Sequence, residues 1–124
     1  MEAIGEVDEP ARDWRAQGEA WRDRTQAEGW WRDDDLTLAD LAKRLGTNTA
    51  YLSRAINDGL GMNFNEMINR MRALEVARQI DAGTAGNLTR TALDSGFSSK
   101  ATFNRAFRAA CGMSPSAWRN RLRS

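Results

Sequence analysis

The feature that most constrains this chain is an internal repeat. Ala42-Lys43-Arg44-Leu45-Gly46 returns as Ala92-Leu93-Asp94-Ser95-Gly96 at an offset of 50, and Leu52-Ser53-Arg54-Ala55-Ile56 returns as Phe103-Asn104-Arg105-Ala106-Phe107 at an offset of 51. The added residue falls in the turn, which reads Gly46 alone in the first copy and Gly96-Phe97 in the second. Leu60-Gly61-Met62-Asn63-Phe64 then matches Cys111-Gly112-Met113-Ser114-Pro115, again at 51. Each copy reads as helix, glycine turn, helix. Such a unit cannot bury its apolar face alone, so the tandem copies predict two related lobes of one all-helical fold.

Capping residues mark where the helices begin. Thr37, Asn48, Asn63, Asn87, Ser99 and Ser114 are side chains that accept from a helix's free first-turn N–H groups. Thr37-Leu38-Ala39-Asp40 adds an acidic partner three residues on, and Ser114-Pro115 places proline at the first helical position. Residues 1–10 read as a flexible tail. Residues 11–35 read as a helix with Trp14, Gly18, Trp21 and Thr25 near one stripe, ended by Gly29, then an acidic connector. In the first lobe, about 36–62, Leu38, Leu41, Ala42, Leu45, Leu52 and Ile56 face inward, and Asp58-Gly59-Leu60-Gly61 breaks the second helix. Phe64, Met67, Ile68, Met71, Leu74 and Ala77 keep the helical period over 64–80. That helix is about 25 Å long at 1.5 Å per residue, enough to hold two lobes apart. In the second lobe, about 87–122, Phe103 and Phe107 form the buried stripe, and Trp118 and Leu122 pack back. Cys111 matches Leu60 and the methionines fill gaps, so both read as core. No strand pattern of useful length occurs.

A formal net charge of +1 conceals a division. Residues 1–35 carry 11 acidic and 5 basic side chains, whereas 36–124 carry 6 acidic and 13 basic ones. The part with the repeat is therefore the basic part, and phosphate binding needs such an excess only locally. Both second helices also carry a polar face opposite the core stripe: Thr49, Ala50, Ser53, Arg54 and Asn57 in the first lobe, Lys100, Ala101, Asn104, Arg105 and Arg108 in the second. A flat, basic, hydrogen-bonding helix face suits a DNA major groove. An isolated arginine there is ordinarily just solvated. The recurrence of Arg54 as Arg105 favours contact with bases or phosphates. Arg119 and Arg121, beyond the second of these helices, are expected at phosphates.

With these residues in place the chain resembles the DNA-binding domain of the AraC/XylS family of bacterial transcription regulators, over about residues 36–121. The likeness is most specific at Gly96-Phe97, at Phe103-x-Arg105-x-Phe107 and at Gly112-Met113-Ser114-Pro115-x-x-Trp118-Arg119. Leu52-Ser53-Arg54 and Phe64…Ile68-Asn69…Arg72 fit as well. The resemblance implies about seven helices, as two tandem helix-turn-helix subdomains joined by a long helix. Each subdomain would put one recognition helix into the major groove, about 34 Å apart along one face of the duplex. It implies double-stranded DNA and RNA polymerase as partners and no cofactor. Leu52-Ser53-Arg54-Ala55-Ile56-Asn57 and Gly96-Phe97-Ser98-Ser99-Lys100 look most like members with a separate, often membrane-embedded N-terminal sensor. That implies a fragment of a longer regulator whose DNA-binding part is cytoplasmic.

Three departures stand out. Thr91 occupies the place of Leu41, which leaves Leu88 and Leu93 to supply more of the second core. Ala50 and Ala101 stand where larger polar contacts are common in the family. The helix before Asp33 is acidic and rich in tryptophan, which suits a connector to a sensor as well as a core helix.

Other classes fare worse. Histidine is absent, and there is no Ser/His/Asp set, no phosphate-cradling glycine loop and no metal-ligand cluster, so an enzyme is not expected. Asp33-Asp34-Asp35 lacks calcium-loop spacing. The single cysteine suits a reducing compartment, the acidic start at Met1-Glu2 argues against a secretory leader, and no apolar run is long enough to span a membrane. The alternative function is a protein-interaction module that uses the helix-turn-helix scaffold without binding DNA.

Overall fold

Helix starts follow the capping residues throughout. The structure, a computed structural model, describes residues 13–123; the tail expected over 1–10 lies outside them. Among the described residues seven α-helices succeed one another: α1 (Trp14–Glu28), α2 (Leu38–Leu45), α3 (Thr49–Arg54), α4 (Phe64–Asp81), α5 (Leu88–Asp94), α6 (Lys100–Cys111) and α7 (Pro115–Asn120). Short 3-10 turns lie at Trp30–Arg32 and Arg121–Arg123, and no strand occurs among the described residues. The side chains of Thr37, Asn48, Asn63, Asn87, Ser99 and Ser114 each accept from the backbone N–H three residues on. Thr37 and Asp40 close a reciprocal capping box, and so do Asn63 and Glu66.

Two cores form, and α4 supplies both. Trp31, Leu41, Leu45, Leu52 and Ile56 bury themselves with Met67, Ile68 and Met71 of α4. Phe97, Phe103 and Phe107 bury themselves with Ala73, Val76, Ala77 and Ile80 of the same helix. At 3.6 residues per turn those two sets of α4 positions lie on opposite sides. The long helix is therefore a shared spine. It does not hold the lobes apart, as the length argument suggested, but lets them meet across it.

The second core is completed differently from the sequence expectation. Leu88 packs against it, but Leu93 is 50 % exposed. Thr91 is buried instead, and its single hydroxyl proton is shared between the carbonyls of Asn87 and Ala85. The missing apolar volume comes from Phe97, the residue inserted in the turn. It is 2 % exposed, with its ring centroid 5.3 Å from that of Phe103. Trp118 packs edge-on against Phe107, whereas Leu122 stays 49 % exposed and does not pack back.

The second helix of the first lobe also runs past its expected break. A π-helical turn over Ala55–Gly59 continues α3, and the chain leaves it only at Gly61, where φ is 70°. Close packing on α1 accounts for this. A Cβ on Gly59 would lie 2.1 Å from the carbonyl oxygen of Trp14, and one on Gly18 would lie 2.6 Å from that of Ala55. Only glycines allow the two backbones to touch, and the wide turn presents Gly59 to α1.

The lobes are fastened where the turn of the second meets the 3-10 turn of the first. Gly96 has φ 106°, and a Cβ there would lie 2.5 Å from the Trp31 carbonyl oxygen. Arg72, buried on α4, donates from Nε to that same oxygen at 2.7 Å and from Nη2 to the Asp33 carbonyl at 2.8 Å. Its Nη1 donates to Asn69. Burial lowers the Arg72 pKa from its ordinary value, while Asp34 and Asp33 act in the opposite sense.

Candidate nucleic-acid interface

The helices α3 and α6 each turn a core stripe inward and a polar face outward. Leu52 and Phe107 are fully buried, with Ile56 and Phe103 nearly so. Away from that stripe Ala50, Arg54 and Asn57 are exposed and Ser53 is half-buried, and Thr49, three residues before Leu52 and so on the stripe side, is exposed at the helix's first turn. In α6, Lys100, Ala101, Arg105 and Arg108 are exposed and Asn104 is half-buried. None of these ten side chains is spent on the core. The amphipathic spacing that buries Leu52 and Ile56, four apart, also carries Ala50, Arg54 and Asn57 to the opposite side.

The two arginines differ in their surroundings. Arg54 donates from Nε to Asp58 Oδ2 at 3.1 Å, and its guanidinium carbon lies 5.2 Å from the centre of the Trp14 ring. That ring in turn sits 6.0 Å from the ring of Tyr51. Arg105 has no ion pair among the described residues. It lines an open groove of about 550 Å³ between α6 and the first turns of α4, with Asn65, Asn69, Arg70, Thr102 and Ala109. Within the first-lobe face, Asn57 Nδ2 donates to Ser53 Oγ at 3.2 Å.

Trp14, Tyr51, Asp58 and Arg70 lie outside the set of site residues that the sequence predicts. Asp58 carried a readable signal, standing four residues after Arg54 on the same helix side. Tyr51 is an aromatic on α3 that stays 38 % exposed. Trp14 and Arg70 reach this region only through tertiary packing.

Arg119 and Arg121, expected at phosphates, make contacts within the chain. Arg119 donates to the carbonyl of Gly86. Arg121 pairs with Asp81 at 2.9 Å and lies over the Trp118 ring at 3.7 Å. Trp118 Nε1 donates to the same Asp81 carboxylate at 2.9 Å. These contacts tie the end of the chain onto the end of α4, so both arginines are structural fasteners in this arrangement.

Asp33, Asp34 and Asp35 bring carboxylate oxygens within 4.8 Å of one another, all exposed. Asp33 accepts from the Asp35 N–H at 2.9 Å and pairs with Arg44 at 3.8 Å, which is the ordinary chemistry of a turn between charged neighbours. Cys111 is half-buried against the second core, and burial pushes its thiol pKa up, away from reactivity. Among the described residues no helix is long and apolar enough to cross a membrane.

Comparison with known proteins agrees with this geometry. Residues 41–121 match the family model of a helix-turn-helix domain. An uncharacterised HTH-type transcriptional regulator of Staphylococcus aureus (strain COL) is 33 % identical over 86 residues, which is 69 % of this chain and 11 % of that protein. The regulatory protein PocR of Salmonella typhimurium is 29 % identical over 89 residues, 72 % of this chain and 29 % of PocR. The chain thus spans only a small part of the relatives it matches. Among solved structures, the C-terminal domain of AraT, a response regulator from Geobacillus stearothermophilus, superposes with a TM-score of 0.67 at 28 % identity, covering 84 % of each chain. A DNA-binding transcriptional dual regulator from Escherichia coli K-12 shares the fold with a TM-score of 0.66 at 20 % identity, over 82 % of this chain and 90 % of that one. The chain belongs to the helix-turn-helix domain family of AraC-type bacterial transcription regulators.

Proposed function

We propose that this chain is the DNA-binding module of a longer regulator and reads a specific duplex by laying α3 and α6 into successive major-groove segments. The observation that carries the reading is the recurrence of one exposed, polar, arginine-bearing helix face in both lobes, on a common spine. The basic excess of residues 36–124 supports it, because phosphate contacts supply most of the attraction to DNA. Thr49, Ala50, Ser53, Arg54 and Asn57 form the first reading face, and Lys100, Ala101, Asn104, Arg105 and Arg108 the second. Arg54 and Arg105 are the base readers, since a guanidinium can bond guanine O6 and N7 together. DNA binding is assigned to residues 36–124, with α1 and the acidic connector packed on it. The full regulator contacts RNA polymerase and carries a sensor outside this segment, and the module works in the cytoplasm. The greater length of the relatives supports a further domain.

Selection of bound duplexes from a random pool, followed by footprinting, tests the reading. The protected site spans about 20 base pairs, two turns of 10–10.5 each. Protection of a single turn per bound chain overturns the two-helix arrangement. Arg54→Ala and Arg105→Ala each cost about 1–3 kcal/mol on the preferred site, concentrated at one or two base positions in different halves. If neither change alters DNA binding, the protein-interaction reading replaces this one.

A further inference from the structure

The repeat sets Arg54 and Arg105 at equivalent positions, yet only one of them is held. Asp58 takes the Nε edge of Arg54 at 3.1 Å, and the Trp14 ring stands 5.2 Å from the guanidinium carbon. Neither Nη of Arg54 has a partner among the described residues. At an offset of 51 the counterpart of Asp58 is Ala109, and that of Tyr51, which packs on Trp14, is Thr102. Both counterparts line the open groove beside Arg105. Across that groove stand Asn63, the N-cap of α4, and Asn65 and Glu66 of its first turn; the Glu66 carboxylate accepts from the Asn63 N–H at 2.8 Å and makes no ion pair with Arg105 among the described residues, whereas Trp14 in the first turn of α1 faces Arg54. The second lobe thus has the same arginine without its carboxylate and without its ring.

We infer that Asp58 and Trp14 are positioning residues that make Arg54 the more discriminating of the two base readers. This rests on the DNA-binding reading above. A guanidinium gripped at Nε keeps one pair of parallel donors, on Nη1 and Nη2, for a base edge. A flanking ring restricts rotation of its plane. An arginine so held loses less side-chain entropy when it meets guanine, and it adapts less well to a wrong base. Arg105 is free to re-aim and tolerates more sequences. The first half of the site is stringent and the second permissive.

The clamp is tested with the 124-residue chain on the duplex it selects from a random pool, against every single-base variant of that duplex. An exposed ion pair of this kind is worth about a two- to fivefold change in an equilibrium constant. Asp58→Asn is expected to lower the preference for the correct base at the Arg54 position by about that factor. Binding to random duplex stays the same or strengthens, since a negative charge near the phosphates is removed. A loss of folding or of general affinity lowers both quantities together, so the split identifies positioning. Ala109→Asp installs a carboxylate four residues after Arg105 and is expected to sharpen discrimination in the other half by a similar factor. The inference is overturned if Asp58→Asn leaves base preference unchanged while Arg54→Ala abolishes it, for Arg54 then reads without help. If Arg54→Ala and Arg105→Ala both leave base preference unchanged, the DNA-reading assignment fails and the clamp fails with it.

Discussion

Replacing Gly59 by alanine puts a methyl group where backbone already stands. Its Cβ would lie 2.1 Å from the Trp14 carbonyl oxygen, 2.6 Å from the carbonyl carbon and 3.1 Å from the Arg15 nitrogen, where ordinary contact begins at 3.4 Å. No side chain can swing aside, so the first turn of α1 must retreat by about 1 Å or more. Overpacking of this kind costs about 1–3 kcal/mol, and the gain in helix propensity on replacing glycine offsets about 0.5–1 kcal/mol. The net loss is about 1–2 kcal/mol, which lowers Tm by about 4–8 °C in a domain of this size. Gly61→Ala is the control, because φ is 70° there but nothing lies within 4 Å. It suffers only the left-handed backbone penalty and leaves α1 in place. Hydrogen exchange separates the two: Gly59→Ala lowers amide protection in α1 before the rest, and Gly61→Ala does not. A Gly59→Ala chain that melts within a degree of wild type, with α1 equally protected, would refute the backbone-contact argument.

Phe103→Ala costs about 3–5 kcal/mol from a closed core, whereas Leu93→Ala, at an exposed position, stays within about 0.5 kcal/mol of wild type; urea titration of the two variants checks both. Glu75 is held below the usual carboxylate pKa, first by its hydrogen bonds from Arg78, against the opposing effect of burial, and further by Gln79 and Arg32. Its contribution to stability is complete above its unfolded pKa of about 4.3 and is lost as pH falls through the lower folded value. Glu75→Gln therefore flattens the acid limb of the Tm-against-pH curve. Arg72→Met leaves the buried Trp31 carbonyl without its donor, at about 1–3 kcal/mol for a group left buried and unpaired, while the Asp33 carbonyl keeps the Leu36 N–H; calorimetry at neutral pH measures the loss.

What the sequence disclosed, and what it withheld, follows from the range of the interactions. Caps, turn glycines and the stripes through Leu52 and Phe103 are set by neighbours a few residues away, so the repeat and its helix starts were legible. Thr91 misled because its burial depends on the Ala85 carbonyl, six residues back and outside the helix, and because the inserted Phe97 takes over the volume assigned to Leu93. The π-helical turn was hidden because Asp58-Gly59 reads as a breaker locally, and only contact with α1 makes Gly59 a packing residue. The two faces proposed for DNA reading were legible as exposed surfaces. The different states of Arg54 and Arg105 were not, since Trp14 reaches Arg54 from more than thirty positions away in the chain.

The junction between lobes bears on how such a module would meet DNA. With Met67, Ile68 and Met71 in one core and Ala73, Val76, Ala77 and Ile80 in the other, rotating one lobe against the other means tearing α4 from a core. Arg72 adds bonds from the spine to the 3-10 turn, and Gly96 brings the second lobe's turn into backbone contact with the same carbonyl. Close-packed interiors switch between discrete arrangements and do not deform smoothly. The separation of α3 and α6 is thus a property of the folded protein. Any mismatch with the spacing of two major-groove segments on straight duplex must then fall on the DNA, which bends at a cost of about 1–6 kcal/mol that depends on sequence. Base pairs between the two half-sites, touched by neither helix, would enter the specificity through their stiffness.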